Sequence, residues 1–172
     1  MTELPRRSLV VGTLSFLLVC WVLLFIRLLP LSPGSSLPGP DLVLALVMAW
    51  ILRRPDQLAA PVIVAAILLE DVLLMRPPGL WPVIVLLGSE AARLRAHRWR
   101  DQGFMFEWAR VAVLMAAMIL GYRIAQMIFM LPVSALAQVM LQLLATIAAY
   151  PLVVLGARWL LGLRRGGPVE AG

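Results

Sequence analysis

The sequence predicts an all-α integral membrane protein with six transmembrane helices in a single domain. Of its 172 residues, 62% are hydrophobic and only 14% are charged, and the mean hydropathy is +0.95. Soluble domains are about half apolar and about a quarter charged, so this composition is typical of a chain that lies mostly within a bilayer. The apolar segments leave only short connections and tails, and we expect no separate soluble domain.

Six apolar segments define the predicted helices. A helix needs about 20 residues to cross a hydrocarbon core of about 30 Å. The second segment is too short for this, so we expect it either to extend into the preceding loop or to be shielded by neighbouring helices. Asp41 precedes it and is expected to cap its first turn, and residues 162–172 are expected to form a flexible tail. The predicted spans are residues 9–29, 41–52, 57–75, 80–94, 104–131 and 133–161.

The distribution of basic residues, all of them arginines, predicts the topology. Cytoplasmic connections of membrane proteins are enriched in Arg and Lys. On one side of the predicted membrane only Arg76 lies in a connection, so we expect this side to face outward, with both termini in the cytoplasm. We expect the arginines of the cytoplasmic side to meet anionic lipids. The ten of that side are Arg6, Arg7, Arg53, Arg54, Arg93, Arg95, Arg98, Arg100, Arg164 and Arg165.

The third apolar segment carries two adjacent acids, Glu70 and Asp71. A charge within a membrane costs a few kcal/mol or more, so each acid needs a partner or a function. Adjacent positions on a helix point in different directions, so one acid can pair inward while the other faces a cavity or a partner protein. Arg123 of the fifth segment lies at a suitable depth for an ion pair, and Arg27 and Arg76 are alternative partners. An ion pair that fixes helix register, a ligand site and a contact with another membrane protein all remain open.

Other polar residues within the spans suggest helix contacts. Gln138, Gln142, Thr146 and Tyr150 recur at every fourth position of the sixth segment and form one stripe. Such a stripe either hydrogen-bonds neighbouring helices or lines a substrate cavity. In two places an acid and an arginine lie three residues apart on the same helix, and we expect the two charges of each pair to neutralise each other. The pairs are Glu90 with Arg93 and Glu107 with Arg110.

The sequence contains no group of residues typical of an enzyme. Its single histidine, His97, lies in a predicted connection, and its single cysteine, Cys20, lies far from it in the chain. A His-based acid–base mechanism therefore has no partner group, and a metal site of the usual kind has no ligand set. We expect no enzymatic activity, no metal and no cofactor.

Three motifs carry a resemblance to a known family. Pro40 and Asp41 open the second span, an Arg-Arg-Pro turn follows it (residues 53–55), and Asp71 lies in an apolar run that a Pro-Pro-Gly-Leu loop ends (residues 77–80). The chain resembles the rod-shape-determining membrane protein family MreD in these motifs, in its length and in its hydropathy pattern of six spans. The resemblance covers nearly the whole chain. Asp71 aligns with the intramembrane aspartate of that family. Glu70 is an addition to the pattern, and the glycine that usually precedes the aspartate is absent.

The resemblance implies a non-enzymatic scaffold of the cell-elongation (rod) complex, needed for rod shape and lateral peptidoglycan synthesis. It implies binding to the bitopic protein MreC and, through it, to the MreB filament and the RodA–transpeptidase wall synthase. The family is similar in fold to the six-helix substrate-binding components of energy-coupling-factor transporters, so a small-molecule-binding subunit of a vitamin-type transporter is the alternative. A closed cavity beside Asp71, lined by aromatic residues such as Trp81 and Tyr122, would favour that alternative. The residues expected in partner binding or in an intramembrane polar network are Asp71, Glu70, Arg123, Arg76, Arg53 and Arg54.

Overall fold

The computed structural model describes residues 6–29, 39–99 and 103–161, and its regular elements within these ranges are all helical. The predicted all-α class and the six helical segments are confirmed. The expected tail, residues 162–172, lies outside the described residues. In chain order the α-helices are α1 (Arg6–Leu28), α2 (Leu42–Arg53), α3 (Ala60–Leu73), α4 (Leu80–Trp99), α5 (Phe104–Ile128) and α6 (Leu136–Leu161), with a 3₁₀ turn at Pro55–Gln57 between α2 and α3.

Three of these helices are long and apolar enough to cross a membrane. They are the segments Leu9–Leu28 of α1, Phe104–Ile128 of α5 and Leu136–Trp159 of α6. At 1.5 Å per residue, each reaches about the 30 Å of a hydrocarbon core. This finding supports a membrane protein, while the crossing of the other helices and the orientation of the chain remain predictions.

The short helix α2 lies at the centre of the molecule. Every residue from 43 to 53 is buried, and the helix contacts α1, α4 and α6. On one side the ring of Trp50 packs edge to face on Phe16 of α1, with ring centroids 5.5 Å apart. Protein rather than lipid therefore surrounds α2, and the predicted shielding of the short segment is confirmed. The predicted cap is also present, because the Asp41 carboxylate accepts a hydrogen bond of 3.0 Å from the backbone N–H of Leu44.

The ends of α3 and α5 have the same unusual geometry. Each helix is followed by a methionine in the left-handed region, Met75 with φ of 51° and Met130 with φ of 52°. The backbone N–H of Arg76 then donates to the Asp71 carbonyl, and that of Leu131 to the Gln126 carbonyl, both at 2.9 Å. These bonds satisfy carbonyl groups at each helix end, as in a Schellman motif. Both helices thus stop abruptly, and the connections after them lie at the same end of the bundle, which we name the Arg76 end. The opposite end is named the Arg53 end.

Candidate functional site

An open cavity of about 490 Å³ lies at the Arg76 end. It is enclosed by the start of α2, the connection after α3, the start of α4, the end of α5 and the start of α6. The aromatic part of its wall is formed by Trp81 and Tyr122, whose rings meet edge to face with centroids 5.2 Å apart. Its polar lining includes Asp41, Arg76, Arg123, Gln126 and Gln142. Sequence reasoning anticipated the two aromatic residues, but the cavity is open rather than closed.

Glu70 pairs with arginines from two other segments. Its carboxylate is fully buried and forms an ion pair with Arg27 at the end of α1. The Nη1 atom of Arg76 approaches the same carboxylate oxygen at 3.8 Å. The structure therefore forms the alternative pairing with Arg27 and Arg76, and not the pairing with Arg123. The reason is geometric, because the end of α1 lies against α3 while Arg123 faces the cavity.

Asp71 is buried beside Glu70 but lacks a comparable partner. Its side chain is 0% exposed, and neither carboxylate oxygen has a hydrogen-bond partner. The backbone amide of Gly79 and the guanidinium of Arg76 attract the carboxylate, but neither meets hydrogen-bond geometry. The two acids thus differ in their contacts, as their adjacent helical positions predict. Since the great majority of buried polar groups are hydrogen-bonded, Asp71, with both oxygens unsatisfied, is an exception that needs an explanation. The indole N–H groups of Trp50 and Trp81 lack a partner as well.

Arg123 connects α5 to the loop before α6. Its Nη1 atom donates a hydrogen bond to the backbone carbonyl of Ser134. Among the residues that the structure describes, no carboxylate pairs with Arg123. Its guanidinium therefore contributes a positive charge to the cavity wall.

A second polar cluster lies inside the bundle at the Arg53 end. Arg53 and Glu107 are 3% and 4% exposed at their side chains, and their Nη2 and Oε1 atoms are 3.2 Å apart. The hydroxyl of Tyr150 donates to the same Glu107 oxygen at 2.9 Å. This cluster joins α2, α5 and α6, and we name it the Arg53 cluster.

The Arg53 cluster corrects one expectation and extends another. Arg53 was expected on the cytoplasmic surface near lipid, but it is the last residue of α2 and is buried with that helix. Glu107 was expected to be neutralised by Arg110 on its own helix, yet its carboxylate also accepts from two other helices. Glu107 and Tyr150 are polar residues within apolar spans, which indicated that each needs a partner inside the bundle. The sequence does not specify which helices are neighbours, so the partners themselves could not be predicted. Arg54, in contrast, is exposed as expected.

The polar stripe of α6 makes hydrogen bonds within the bundle and also contributes to the wall of the cavity. The Thr146 hydroxyl accepts a hydrogen bond of 2.9 Å from the Asp41 backbone N–H and donates one of 2.7 Å to the Gln142 carbonyl. Thr146 and Tyr150 therefore bond other parts of the bundle, whereas Gln142 lines the cavity. Gln138, at the end of the stripe, is exposed.

The Glu90–Arg93 pair is present and has a further structural role. The Nε atom of Arg93 lies 3.4 Å from a Glu90 carboxylate oxygen. The same guanidinium donates to the carbonyls of Pro55 at 3.1 Å and Leu58 at 2.7 Å. Arg93 thus fastens α4 to the turn between α2 and α3. It is not simply a surface charge that marks topology.

Comparisons with protein-family models, with curated proteins and with solved structures found no match for this chain.

Proposed function

We propose that this protein is a non-enzymatic scaffold of the cell-elongation complex in a bacterial inner membrane, and that it binds MreC through the region around Asp71. The motifs in α2 and α3 that resemble the MreD family support this proposal. The structural observation that carries it is the buried Asp71 carboxylate with no hydrogen bond. An unsatisfied buried group costs about 1–3 kcal/mol, and more when it is charged. A hydrogen-bond donor from a partner helix would remove that cost.

The surface beside Asp71 suits a transmembrane partner. Next to it on α3, Val72 is 61% exposed and Leu73 is 41% exposed, and Leu68 and Leu69, one turn earlier, are exposed too. Helices in membranes associate by close packing and by interhelical hydrogen bonds. We infer that the transmembrane helix of MreC packs on these apolar side chains, and that a local rearrangement on docking admits its hydrogen-bond donor to the carboxylate of Asp71, which is buried in the free protein. Contact with MreC would link the protein indirectly to MreB and to the RodA–transpeptidase wall synthase.

The opposite end of the bundle is suited to anionic lipids. Arg95 and Arg110 line an open, mainly apolar groove of about 650 Å³ between α4 and α5. Guanidinium groups bind phosphate well, and a basic residue near an anionic membrane surface contributes about 1 kcal/mol. Under the proposed topology this end faces the cytoplasm, where these arginines hold the orientation of the chain.

Co-purification with MreC tests the scaffold function. The wild type should retain MreC in a neutral detergent, and Asp71→Leu should weaken its capture by about 3- to 30-fold, the equivalent of about 0.6–2 kcal/mol for one interhelical hydrogen bond. Because Asp71→Leu also removes a buried carboxyl group that has no hydrogen bond, the variant should fold at least as stably as the wild type. Arg123→Gln is the matched control and should retain MreC. Absence of MreC from the wild-type preparation, or equal capture by Asp71→Leu, would contradict this function.

A small-molecule-binding membrane subunit is the second candidate function, and the cavity at the Arg76 end favours it. Ligand pockets have volumes of about 300–1,000 Å³, and this cavity, at about 490 Å³, lies within that range. Trp81 and Tyr122 offer it an aromatic surface. Mass spectrometry of the purified protein distinguishes this candidate, which requires a small molecule to remain bound in the absence of MreC.

A further inference from the structure

The cavity at the Arg76 end contains positive charge that the protein itself neutralises only in part. Arg123 donates to a neutral carbonyl group, that of Ser134. Arg76 lies 3.8 Å from Glu70, but Arg27 contacts the same Glu70 oxygen more closely. Glu70, together with the neighbouring Asp71, therefore neutralises Arg76 in part. Arg123 pairs with no carboxylate of the described residues, and its guanidinium remains available to a ligand.

The acid in the cavity wall does not cancel this charge. Asp41 is 1% exposed, and its Oδ1 atom accepts the hydrogen bond from Leu44 that caps α2. Its backbone N–H is held by Thr146. Asp41 thus belongs to the structural base of the cavity, and two arginines and one acid line the wall itself. Glu70 and Asp71 lie behind the wall and attract Arg76, so Arg123 supplies the positive charge that no carboxylate of the described residues pairs with.

The remaining wall determines what kind of anion fits. Trp81 and Tyr122 present an aromatic surface, and Gln126 and Gln142 contribute amide groups. Pockets of this kind bind the apolar part of a ligand on aromatic and aliphatic side chains, while a few polar groups fix its orientation. A cavity of about 490 Å³ has room for more than an inorganic ion.

We propose that this cavity binds a small organic anion. Its oxyanion, a phosphate or a carboxylate, pairs with Arg123 and Arg76, because guanidinium groups form strong, charge-assisted hydrogen bonds with such groups. Its apolar body lies against Trp81 and Tyr122. This inference rests on the second candidate function, the binding of a small molecule in the same cavity, and not on the MreC contact, although Arg76 lies near both the cavity and Asp71. The same oxyanion chemistry is available from a dissolved molecule and from a phospholipid headgroup, since the cavity is open at the end of the bundle.

Isothermal titration calorimetry of the full chain in a neutral detergent tests the site with phenyl phosphate, which combines a phosphate with a ring. The wild type should bind one equivalent saturably, and more tightly than it binds inorganic phosphate. Arg123→Gln should weaken binding about tenfold or more, as expected when a charged hydrogen bond is lost. Gln126→Glu should do the same, because it places a negative charge in the cavity. Arg54→Gln, which removes an exposed arginine at the other end, should bind as the wild type does.

Nanodiscs of phosphatidylcholine and phosphatidylglycerol at a ratio of 3:1 test whether the bound anion is a phospholipid headgroup. If the anion is a lipid headgroup, native mass spectrometry should find phosphatidylglycerol enriched on the wild type and less enriched on Arg123→Gln and Gln126→Glu. Binding in either the calorimetric or the nanodisc experiment supports the site and shows whether the anion is a dissolved molecule or a lipid headgroup. Absence of both phenyl phosphate binding and phosphatidylglycerol enrichment would overturn it. An equal loss in Arg54→Gln would also overturn it, because the effect would then reflect net charge alone. Size-exclusion chromatography verifies folding, and Gln126→Glu keeps the test valid if Arg123→Gln aggregates.

Discussion

The Arg53 cluster allows a quantitative test of how charge is held inside this bundle. Arg53→Met removes the guanidinium but leaves the buried Glu107 carboxylate with one fewer donor. Removal of one partner of a buried ion pair costs about 3–5 kcal/mol. The geometry agrees with this range, because unit charges 3.2 Å apart attract by about 5 kcal/mol at an effective dielectric constant of about 20. We therefore expect Arg53→Met to lower the free energy of unfolding by about 3–5 kcal/mol.

The double variant Arg53→Met/Glu107→Leu should behave differently from either single variant. Replacement of both members of a buried pair by apolar residues is often neutral or stabilising. The unfolding free energy of the double variant should thus return to within about 1 kcal/mol of the wild type, with the loss of the Tyr150 hydrogen bond as the main remaining cost. The difference between the double variant and the sum of the single variants should be several kcal/mol, as expected for residues in direct contact.

Equilibrium unfolding by a denaturing detergent in mixed micelles, followed by circular dichroism, measures these free energies. Arg54→Met is the matched control, because Arg54 is adjacent to Arg53 and exposed, and surface changes usually stay within about 0.5 kcal/mol. A cost below about 1 kcal/mol for Arg53→Met, together with simple additivity in the double variant, would show that the pair behaves as a solvated surface pair. The buried geometry of the cluster would then be refuted.

Two further changes test the backbone strain at the end of α3 and the contact between α4 and α5. Met75→Gly should raise the free energy of unfolding by about 0.5–1 kcal/mol in the same assay, because glycine adopts the left-handed φ of this position without strain. The Met75 side chain is 94% exposed, so its removal loses little packing. Met75→Ala keeps the strain and should give no gain. Gly88→Ala should destabilise the protein by about 1 kcal/mol, because the new Cβ would lie 2.1 Å from the Met118 Sδ atom and overpacking outweighs the gain in helix propensity. In a Met118→Ala background, Gly88→Ala should instead raise the free energy of unfolding. If Gly88→Ala still lowers it in that background, the steric explanation is contradicted.

The positions of the helices could be predicted from the sequence because their signals are local. Apolar length marked the segments, and the loop of residues 76–79 marked the break between α3 and α4. Asp41 could be assigned as a cap because an N-cap needs only the residues that follow it. The starts of α4 and α5 also agree with the predicted spans, at Leu80 and Phe104. Their ends differ, because α4 continues beyond residue 94 to Trp99 and α5 stops at Ile128 instead of residue 131.

The partners of the buried charges could not be predicted in the same way. Arg27 and Glu70 are 43 residues apart, and Arg53 and Glu107 are 54 residues apart, so their contact depends on which helices lie side by side. Arg53 also shows why a rule for topology does not describe packing. It follows an apolar segment and precedes a proline turn, as a surface arginine would, but the helix that carries it is enclosed on all sides.

The enclosure of α2 connects the two polar regions of the molecule. At the Arg76 end, its cap residue Asp41 donates its backbone N–H to Thr146 of α6. At the other end, Arg53 reaches Glu107, which accepts from Tyr150 of the same α6. A helix fixed to one neighbour at both ends cannot slide along it without breaking a buried polar contact, and each such break costs at least about 1–3 kcal/mol. Through α2, the contacts of the Arg53 cluster therefore also help to hold the base of the cavity at Asp41, and α2 acts as a rigid support for the proposed binding site.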